Sequence, residues 1–181
     1  MGAEPTNAAP YRLIDSVVFG ERVVVQPFTN LYGCRIGDDT RIGPFVEIQR
    51  GVILGRHCKI QSHTFICEGV EIEDEVFVGH GVMFINDKYP RATTEHGELQ
   101  EADDWTLLRT TVERRATLGS GAVILGGVTV GAGALVGAGA VVTRDIPPGE
   151  TAVGNPARRV GSVPPHPGSG GARERKLPGR R

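Results

Sequence analysis

The sequence predicts an all-β chain wound as a parallel β-helix, on two interlocked residue series and one break in their phase. Every sixth residue from Ile36 to Phe84 is large and apolar: Ile36, Ile42, Ile48, Leu54, Ile60, Ile66, Ile72, Val78 and Phe84. The spacing resumes at Val112 and runs through Leu118, Ile124, Val130, Val136 and Val142. Two residues before each anchor stands a small or β-branched one: Cys34, Thr40, Val46, Val52, Cys58, Thr64, Val70, Val76 and Val82, then Thr110, Ala116, Ala122, Val128, Ala134 and Ala140. A period of six matches neither a helix face nor simple strand alternation. It matches a hexapeptide solenoid, in which one short strand and one turn make each repeat and three repeats close a triangular coil.

Residues two apart on a strand point the same way, so anchor and small residue both face inward. Anchors 18 apart then stack in columns, roughly 4.8 Å per coil. Glycine often follows the anchor (Gly37, Gly43, Gly55, Gly79, Gly119, Gly131, Gly137), which suggests corners needing unusual dihedrals. Counted from Val18 and Val24 onward, the repeats give six coils, with Asn30 and Arg22 as irregularities in an imperfect opening coil, as terminal repeats are usually atypical. After Val142, the run Arg144-Asp145-Ile146-Pro147-Pro148-Gly149 reads as the end of the helix. The β-helix domain is placed at 1–161 and a disordered basic tail at 162–181.

Phe84 and Val112 are out of phase, so a segment of about 86–109 leaves the prism. It is polar and charged, with Tyr89, Pro90 and Trp105 as its bulky members, and a loop of this length in a repeat fold is usually functional.

Composition narrows the function. The 181 residues carry 20 basic and 21 acidic side chains, a net charge of −1, so nothing draws the chain globally to nucleic acid or a membrane. No apolar run is long enough to span a bilayer, and Met1 to Pro10 lacks the pattern of a secretory signal, so a cytoplasmic location is expected. Three cysteines suggest neither a disulfide framework nor a zinc site. Cys34 and Cys58 fill small inward slots, and Cys67 is expected to be more exposed.

Sites in a solenoid lie on corners, on the loop or between subunits. One corner column stacks Glu68 beneath Asn86, and the neighbouring corner carries His80 above Ser62, with His63 beside it. With Asp87 these make a candidate reactive cluster below the loop exit. His80 reads either as a general base or substrate-positioning donor, since an imidazole titrates near neutral pH, or as a plain surface histidine. His57 and His96 read as surface residues. The small-residue stretch from Leu118 to Val142 leaves backbone free to hydrogen-bond an extended amide-bearing ligand such as the pantetheine arm of coenzyme A.

Two stretches carry a resemblance: Val78-Gly79-His80-Gly81-Val82-Met83-Phe84-Ile85-Asn86-Asp87-Lys88-Tyr89-Pro90-Arg91-Ala92, and Gly154-Asn155-Pro156-Ala157-Arg158. Over about 14–161 the chain resembles the left-handed β-helix sugar-nucleotide N-acetyltransferases, above all those acetylating the 3-amino group of UDP-2-acetamido-3-amino-2,3-dideoxyglucuronate for bacterial surface polysaccharide such as lipopolysaccharide O-antigen. Relatives acting on dTDP-3-amino-3,6-dideoxyhexoses share much of the pattern. The resemblance implies a left-handed coil and a homotrimer with three acetyl-CoA sites between subunits. It implies catalytic roles for His80 and Asn86, and substrate contacts at Asp87, Tyr89 and Arg91, to which the corner stack adds Glu68. For the cofactor it implies contacts at Asn155, Arg158 and Arg159, to which the small-residue stretch adds Gly119, Ala122, Gly137 and Ala140; no metal site is expected. Arg158-Arg159 and the long tail depart from the family pattern. Three rival readings remain at this point: O-acetylation of a sugar or antibiotic, a γ-carbonic-anhydrase-like metalloenzyme needing three histidines on zinc, and a non-catalytic interaction solenoid.

Overall fold

The inward series builds three parallel sheets around one apolar core. The computed structural model describes residues 11–163. The first face stacks seven strands, Arg12–Asp15, Thr29–Tyr32, Glu47–Ile48, Phe65–Ile66, Met83–Phe84, Val123–Ile124 and Val141–Val142. The second stacks six: Val18–Phe19, Arg35–Ile36, Ile53–Leu54, Val70–Ile72, Thr110–Val112 and Thr129–Val130. The third has eight, Val24–Val25, Arg41–Ile42, Lys59–Ile60, Phe77–Val78, Thr117–Leu118, Leu135–Val136, Glu150–Val153 and Arg158–Ser162. Among the described strands of these faces only the last pairing, Glu150–Val153 with Arg158–Ser162, is antiparallel. Successive coils exchange backbone hydrogen bonds face by face, as in Gly55 N to Ile72 O at 2.7 Å and Phe77 N to Ala116 O at 3.0 Å.

Each anchor from Ile36 to Val142 is buried, and so is the small residue two before it. Where that slot holds threonine, the hydroxyl bonds to nearby backbone. Thr40 Oγ1 donates to Gly55 O at 2.9 Å and accepts from Cys58 N at 3.1 Å, while Thr64 Oγ1 donates to Gln61 O and Gly79 O at 2.9 and 3.1 Å. A buried hydroxyl without such partners would be costly.

The opening coils depart from the expected phase. Val18 and Val24 are 60% and 43% exposed, whereas Val25 and Leu31 are 3% and 0%. Phe19, Val25 and Leu31 are the inward residues, and Arg22 lies at a corner with φ 54°. The cause is local. Between Leu31 and the next slot residue, Cys34, the corner has two residues, whereas between Ile48 and Val52 it has three, Gln49, Arg50 and Gly51. Leu31 therefore pairs with Ile48, 17 residues on rather than 18.

The prolines do not end the prism. Ile146 bridges to Val130, and Thr151 and Ala152 pair with Leu135 and Val136, so another coil follows and Pro147-Pro148 form its corner. The first face has seven levels rather than six because Arg12–Asp15 adds one beneath Thr29–Tyr32. The final strand reaches Ser162; the expected basic tail otherwise falls at 164–181, outside the described residues.

The glycines after anchors serve a different need from the one expected. A Cβ on Gly79 would lie 2.5 Å from Ser120 N, and one on Gly119 2.4 Å from Ala138 N, so the next coil's backbone forbids a side chain. The left-handed conformation falls two residues later, three after the anchor, at Asp39, Phe45, His57, His63, Glu75 and Arg115 and at glycines such as Gly81, Gly121 and Gly139.

Two of the resulting corner columns carry repeating side chains. Between the second and third faces, charge alternates from coil to coil: Arg22 pairs with Asp39 at 2.7 Å, Arg56 with Asp74 at 3.0 Å and Arg115 with Glu75 at 2.7 Å. Between the third and first faces, Tyr11, Phe28, Phe45 and His63 stack in a ladder with ring centroids 4.8–5.0 Å apart.

Candidate functional site

The loop leaves after Phe84 at the corner between the first and second faces and returns at Thr110. Its neck is closed by Leu108 N donating to Asn86 O at 3.0 Å. Within it lie an isolated bridge between Thr93 and Leu99 and one turn of 3-10 helix, Ala102–Asp104.

At this corner the expected stack forms. Asn86 Nδ2 donates to the Glu68 carbonyl at 3.0 Å, which fixes the amide and leaves Oδ1 as its acceptor. Glu68 binds Arg50, one coil below, through Oε2 to Nε at 3.0 Å, and its backbone N–H donates to Gln49 Oε1 at 3.2 Å. Asp87 Oδ1 caps the loop's first turn by accepting from Tyr89 N at 2.9 Å. Tyr89 and Arg91 are both exposed on the loop, and Lys88 Nζ stands 5.7 Å from the Tyr89 ring centroid.

His80 occupies the other edge of the first face. Its Nδ1 is 2.9 Å from Ser62 Oγ one coil below, and its backbone N–H donates to Ser120 Oγ one coil above at 3.2 Å. His80 and Asn86 thus flank the strand Met83–Phe84 and do not form one cluster within a chain. His63 leaves that cluster altogether, because its ring is stacked on Phe45. His57 lies 3.8 Å from Asp39 on the charged corner, and His96 is exposed on the loop.

Above His80 the corner is bare. Gly81, Gly121 and Gly139 follow one another up the column, and a Cβ on Gly81 or Gly139 would meet nothing within 4 Å. Ser120, Gly121, Ala138 and Gly139 are exposed. The Gly154-Asn155-Pro156-Ala157 turn seats at the top of this strip, with Gly154 O accepting from Val141 N at 2.9 Å and Ala157 N donating to Val141 O at 2.8 Å.

The expected cofactor residues divide accordingly. Gly119 and Gly137 line the column but are pressed against the next coil. Ala122 and Ala140 are fully buried, and their backbone N–H and C=O groups bond within the coils, so neither side chain reaches a ligand. The exposed positions are their neighbours at Ser120-Gly121 and Ala138-Gly139. Arg158 is exposed, with Nη1 on its neighbour's carbonyl at 3.1 Å, whereas Arg159 is tied to Glu150 at 2.6 Å.

The cysteines are inert core residues. Cys67, expected to be more exposed, is 2% exposed, and burial pushes its thiol and that of Cys34 up to about 11. Among the described residues no three His, Cys, Asp or Glu side chains gather to hold a metal ion. No helix of the structure is long and apolar enough to cross a membrane.

Beside the Glu68–Asn86 stack, the structure opens a hollow of about 410 Å³ lined by Tyr32, Gln49, Arg50, Phe65, Cys67, Glu68, Asn86 and Trp105. Tyr32, Arg50 and Trp105 were not legible as site residues. Tyr32 and Arg50 share the 18-residue column with Glu68 and Asn86, a signal that could have found them; Trp105 arrives from the loop.

Comparison with known proteins agrees with this architecture. The model of the bacterial transferase hexapeptide (six repeats) matches residues 33–68 and 109–144. The bifunctional protein GlmU of Clavibacter sepedonicus is 32% identical over 163 residues, covering 90% of this chain and 28% of GlmU. The chain spans about a quarter of the length of the curated relatives it matches. Among solved structures, the hexapeptide-repeat acetyltransferase VCA0836 of Vibrio cholerae, in complex with acetyl-CoA, is 25% identical with a TM-score of 0.63, covering 74% of this chain and 72% of that one. The N-acyltransferase AntD of Bacillus cereus, in complex with dTDP and coenzyme A, shares the fold at 18% identity and a TM-score of 0.69, covering 81% and 83%. The buried six-residue series, the three parallel faces and the matching repeats on both sides of the loop make this chain a left-handed parallel β-helix built of hexapeptide repeats.

Proposed function

We propose that this chain is an acetyl-CoA-dependent N-acetyltransferase acting on the 3-amino group of a nucleotide-linked amino sugar, with UDP-2-acetamido-3-amino-2,3-dideoxyglucuronate the favoured acceptor. The observation that carries it is the pairing of two features at one level of the prism. An amide, Asn86, is fixed over a polar hollow at the loop exit, and a strip of bare backbone climbs from His80 to the Gly154 turn. The acetyl-CoA complex of VCA0836 supports the cofactor assignment. The dTDP and coenzyme A bound to AntD support a nucleotide-sugar acceptor and keep a dTDP-linked 3-amino-6-deoxyhexose as the second reading.

The strip suits a pantetheine arm. From His80 to Gly154 are three coil steps, roughly 14 Å, along which no side chain blocks an extended amide chain. Asn155 and Arg158 at its upper end meet the cofactor's nucleotide portion. Because His80 and Asn86 lie on opposite edges of the first face, a complete site forms when a second chain brings its Asn86 corner to this His80 corner, as in a homotrimer with three sites.

The reaction is direct transfer in a ternary complex. The neutral amine adds to the thioester carbonyl, the tetrahedral intermediate collapses with loss of coenzyme A thiolate, and the surplus amine proton leaves to that thiolate or to a base. Asn86 Oδ1 accepts from the amine and orients its lone pair. Backbone N–H groups of the neighbouring coil hold the developing oxyanion. Alignment of two bound reactants supplies most of the rate. His80 serves as base in the tautomer whose Nδ1–H donates to Ser62 Oγ, which leaves Nε2 free to take the proton, worth roughly 10²–10⁴-fold. The setting is bacterial surface-polysaccharide synthesis in the cytoplasm.

Release of free thiol from acetyl-CoA, with UDP- and dTDP-linked 3-amino sugars offered as acceptors, tests this reading. Turnover with the UDP-linked glucuronate compound alone is the expected result. Turnover only with a dTDP-linked deoxyhexose moves the acceptor, and silence across the panel with acetyl-CoA bound refutes amine transfer to these sugars.

A further inference from the structure

We infer that the hollow beside the loop is the subsite for the acceptor's nucleoside diphosphate, with Trp105 and Tyr32 holding the base and Arg50 the phosphates. This rests on the proposed acceptor class and adds Tyr32, Arg50 and Trp105 to it. The hollow joins three chemistries that a nucleoside diphosphate needs. Two aromatic rings offer flat surfaces, and base stacking on an aromatic side chain is sequence-tolerant and strong. A guanidinium matches phosphate oxygens with paired donors. An amide at one end, Asn86, is the group placed at the reacting amine.

Arg50 is held but not used up. Among the described residues its one ion-pair partner is Glu68, reached through Nε at 3.0 Å, with the side chain 65% exposed. The two Nη groups remain to meet phosphate. Tyr32, Arg50, Glu68 and Asn86 climb one corner, and the three steps span roughly 14 Å, the reach of an extended nucleoside diphosphate. The volume of about 410 Å³ falls in the range of small-molecule sites.

The loop's return limb sets Trp105 there. Leu107 packs over Gly69, where an added Cβ would stand 3.1 Å from Leu107 Cδ1, and Leu108 packs over Gly126, 2.8 Å by the same measure. With Leu108 N on Asn86 O, both leucines pin the chain two to three residues beyond Trp105. The larger hollow on the charged corner, lined by Arg22, Asp39, Arg41, His57 and Lys59 among others, has no tryptophan, tyrosine or phenylalanine and no residue of the loop.

Trp105 is the only tryptophan in the sequence, so its emission reports on this hollow without any substitution. UDP and dTDP are titrated separately into the full chain, with uridine and coenzyme A as further probes. The expected result is saturable quenching by UDP or dTDP, weaker binding of uridine, and no response to coenzyme A. Arg50→Gln should weaken nucleotide binding about tenfold or more, the loss of a charge-assisted phosphate contact. It should raise KM for the nucleotide sugar in like measure, with KM for acetyl-CoA within about twofold. Quenching by coenzyme A alone would give the hollow to the cofactor and overturn the inference. Acetyl transfer with silent emission and an unchanged KM in Arg50→Gln would overturn it while the proposed function stands. Quenching by UDP or dTDP without acetyl transfer to any 3-amino sugar would uphold the subsite and refute the function.

Discussion

Replacing Asn86 by Asp changes one atom group in a site whose geometry is fixed. In the native chain Nδ2 donates to the Glu68 carbonyl at 3.0 Å, and that bond decides which way the amide points. A carboxylate puts an acceptor where the donor stood, facing a carbonyl oxygen, with the Glu68 carboxylate on the same corner adding like charge. The side chain must rotate away, and the acceptor offered to the substrate amine moves with it. A displacement of about 1 Å at the reacting centre costs on the order of 100-fold in rate, a barrier increase of about 2.7 kcal/mol. The fold loses one partly buried hydrogen bond, about 1 kcal/mol, so the melting temperature should drop by only about 2–4 °C. The assay is steady-state thiol release by Asn86→Asp and Asn86→Ala, with acetyl-CoA binding measured in parallel. Both variants should lose kcat on that scale while binding acetyl-CoA within about twofold of the parent. Two variants with kcat within twofold of the parent would refute the positioning role.

The remaining predictions concern the scaffold. Gly79→Ala forces a Cβ to 2.5 Å from Ser120 N and 2.8 Å from Leu118 O, so adjacent coils must part; a loss of about 1–3 kcal/mol is expected in denaturant unfolding, and a neutral effect would contradict the close approach. All three thiols should resist a disulfide reagent at pH 8 in the native protein and react together in guanidinium, since each is buried and burial raises its pKa; rapid native labelling would place a cysteine at the surface. On the charged corner, the Arg22 guanidinium on Asp39, the Arg56 backbone N–H and guanidinium on Asp74, and the Arg115 guanidinium on Glu75 hold these carboxyls below the usual range. Groups with depressed folded pKa values contribute stability above the unfolded carboxylate range, about pH 4, and lose it as pH falls through the folded values. Melting temperature should therefore hold from pH 7 to 5 and fall below about pH 4, less steeply in an Arg22→Gln, Arg115→Gln double variant. An equally steep acid limb in that variant would remove the ion pairs from the explanation.

The six-residue series fixed the coil because it is written in side-chain volume at every repeat: a large anchor and a small partner fill a triangular core in one way only. The loop exit after Phe84 and the stacks of Asn86 on Glu68 and His80 on Ser62 follow from the same count, since corners one coil apart must lie over one another. What the count could not supply is where a corner is shortened. The two-residue turn at Tyr32-Gly33 shifts the opening coils by one residue, exposing Val18 and Val24 and burying Val25 and Leu31, and a period alone cannot say which of two apolar neighbours turns inward. The prolines at 147–148 read as a stop, but Ile146 still bonds to Thr129 through its backbone, so the coil turns there and continues. The capture of His63 by Phe45 and the arrival of Trp105 beside Arg50 were decided only in three dimensions. They depend on which exposed groups meet across coils and on how a loop without repeat packs back on the prism, and no local pattern of volumes encodes those contacts.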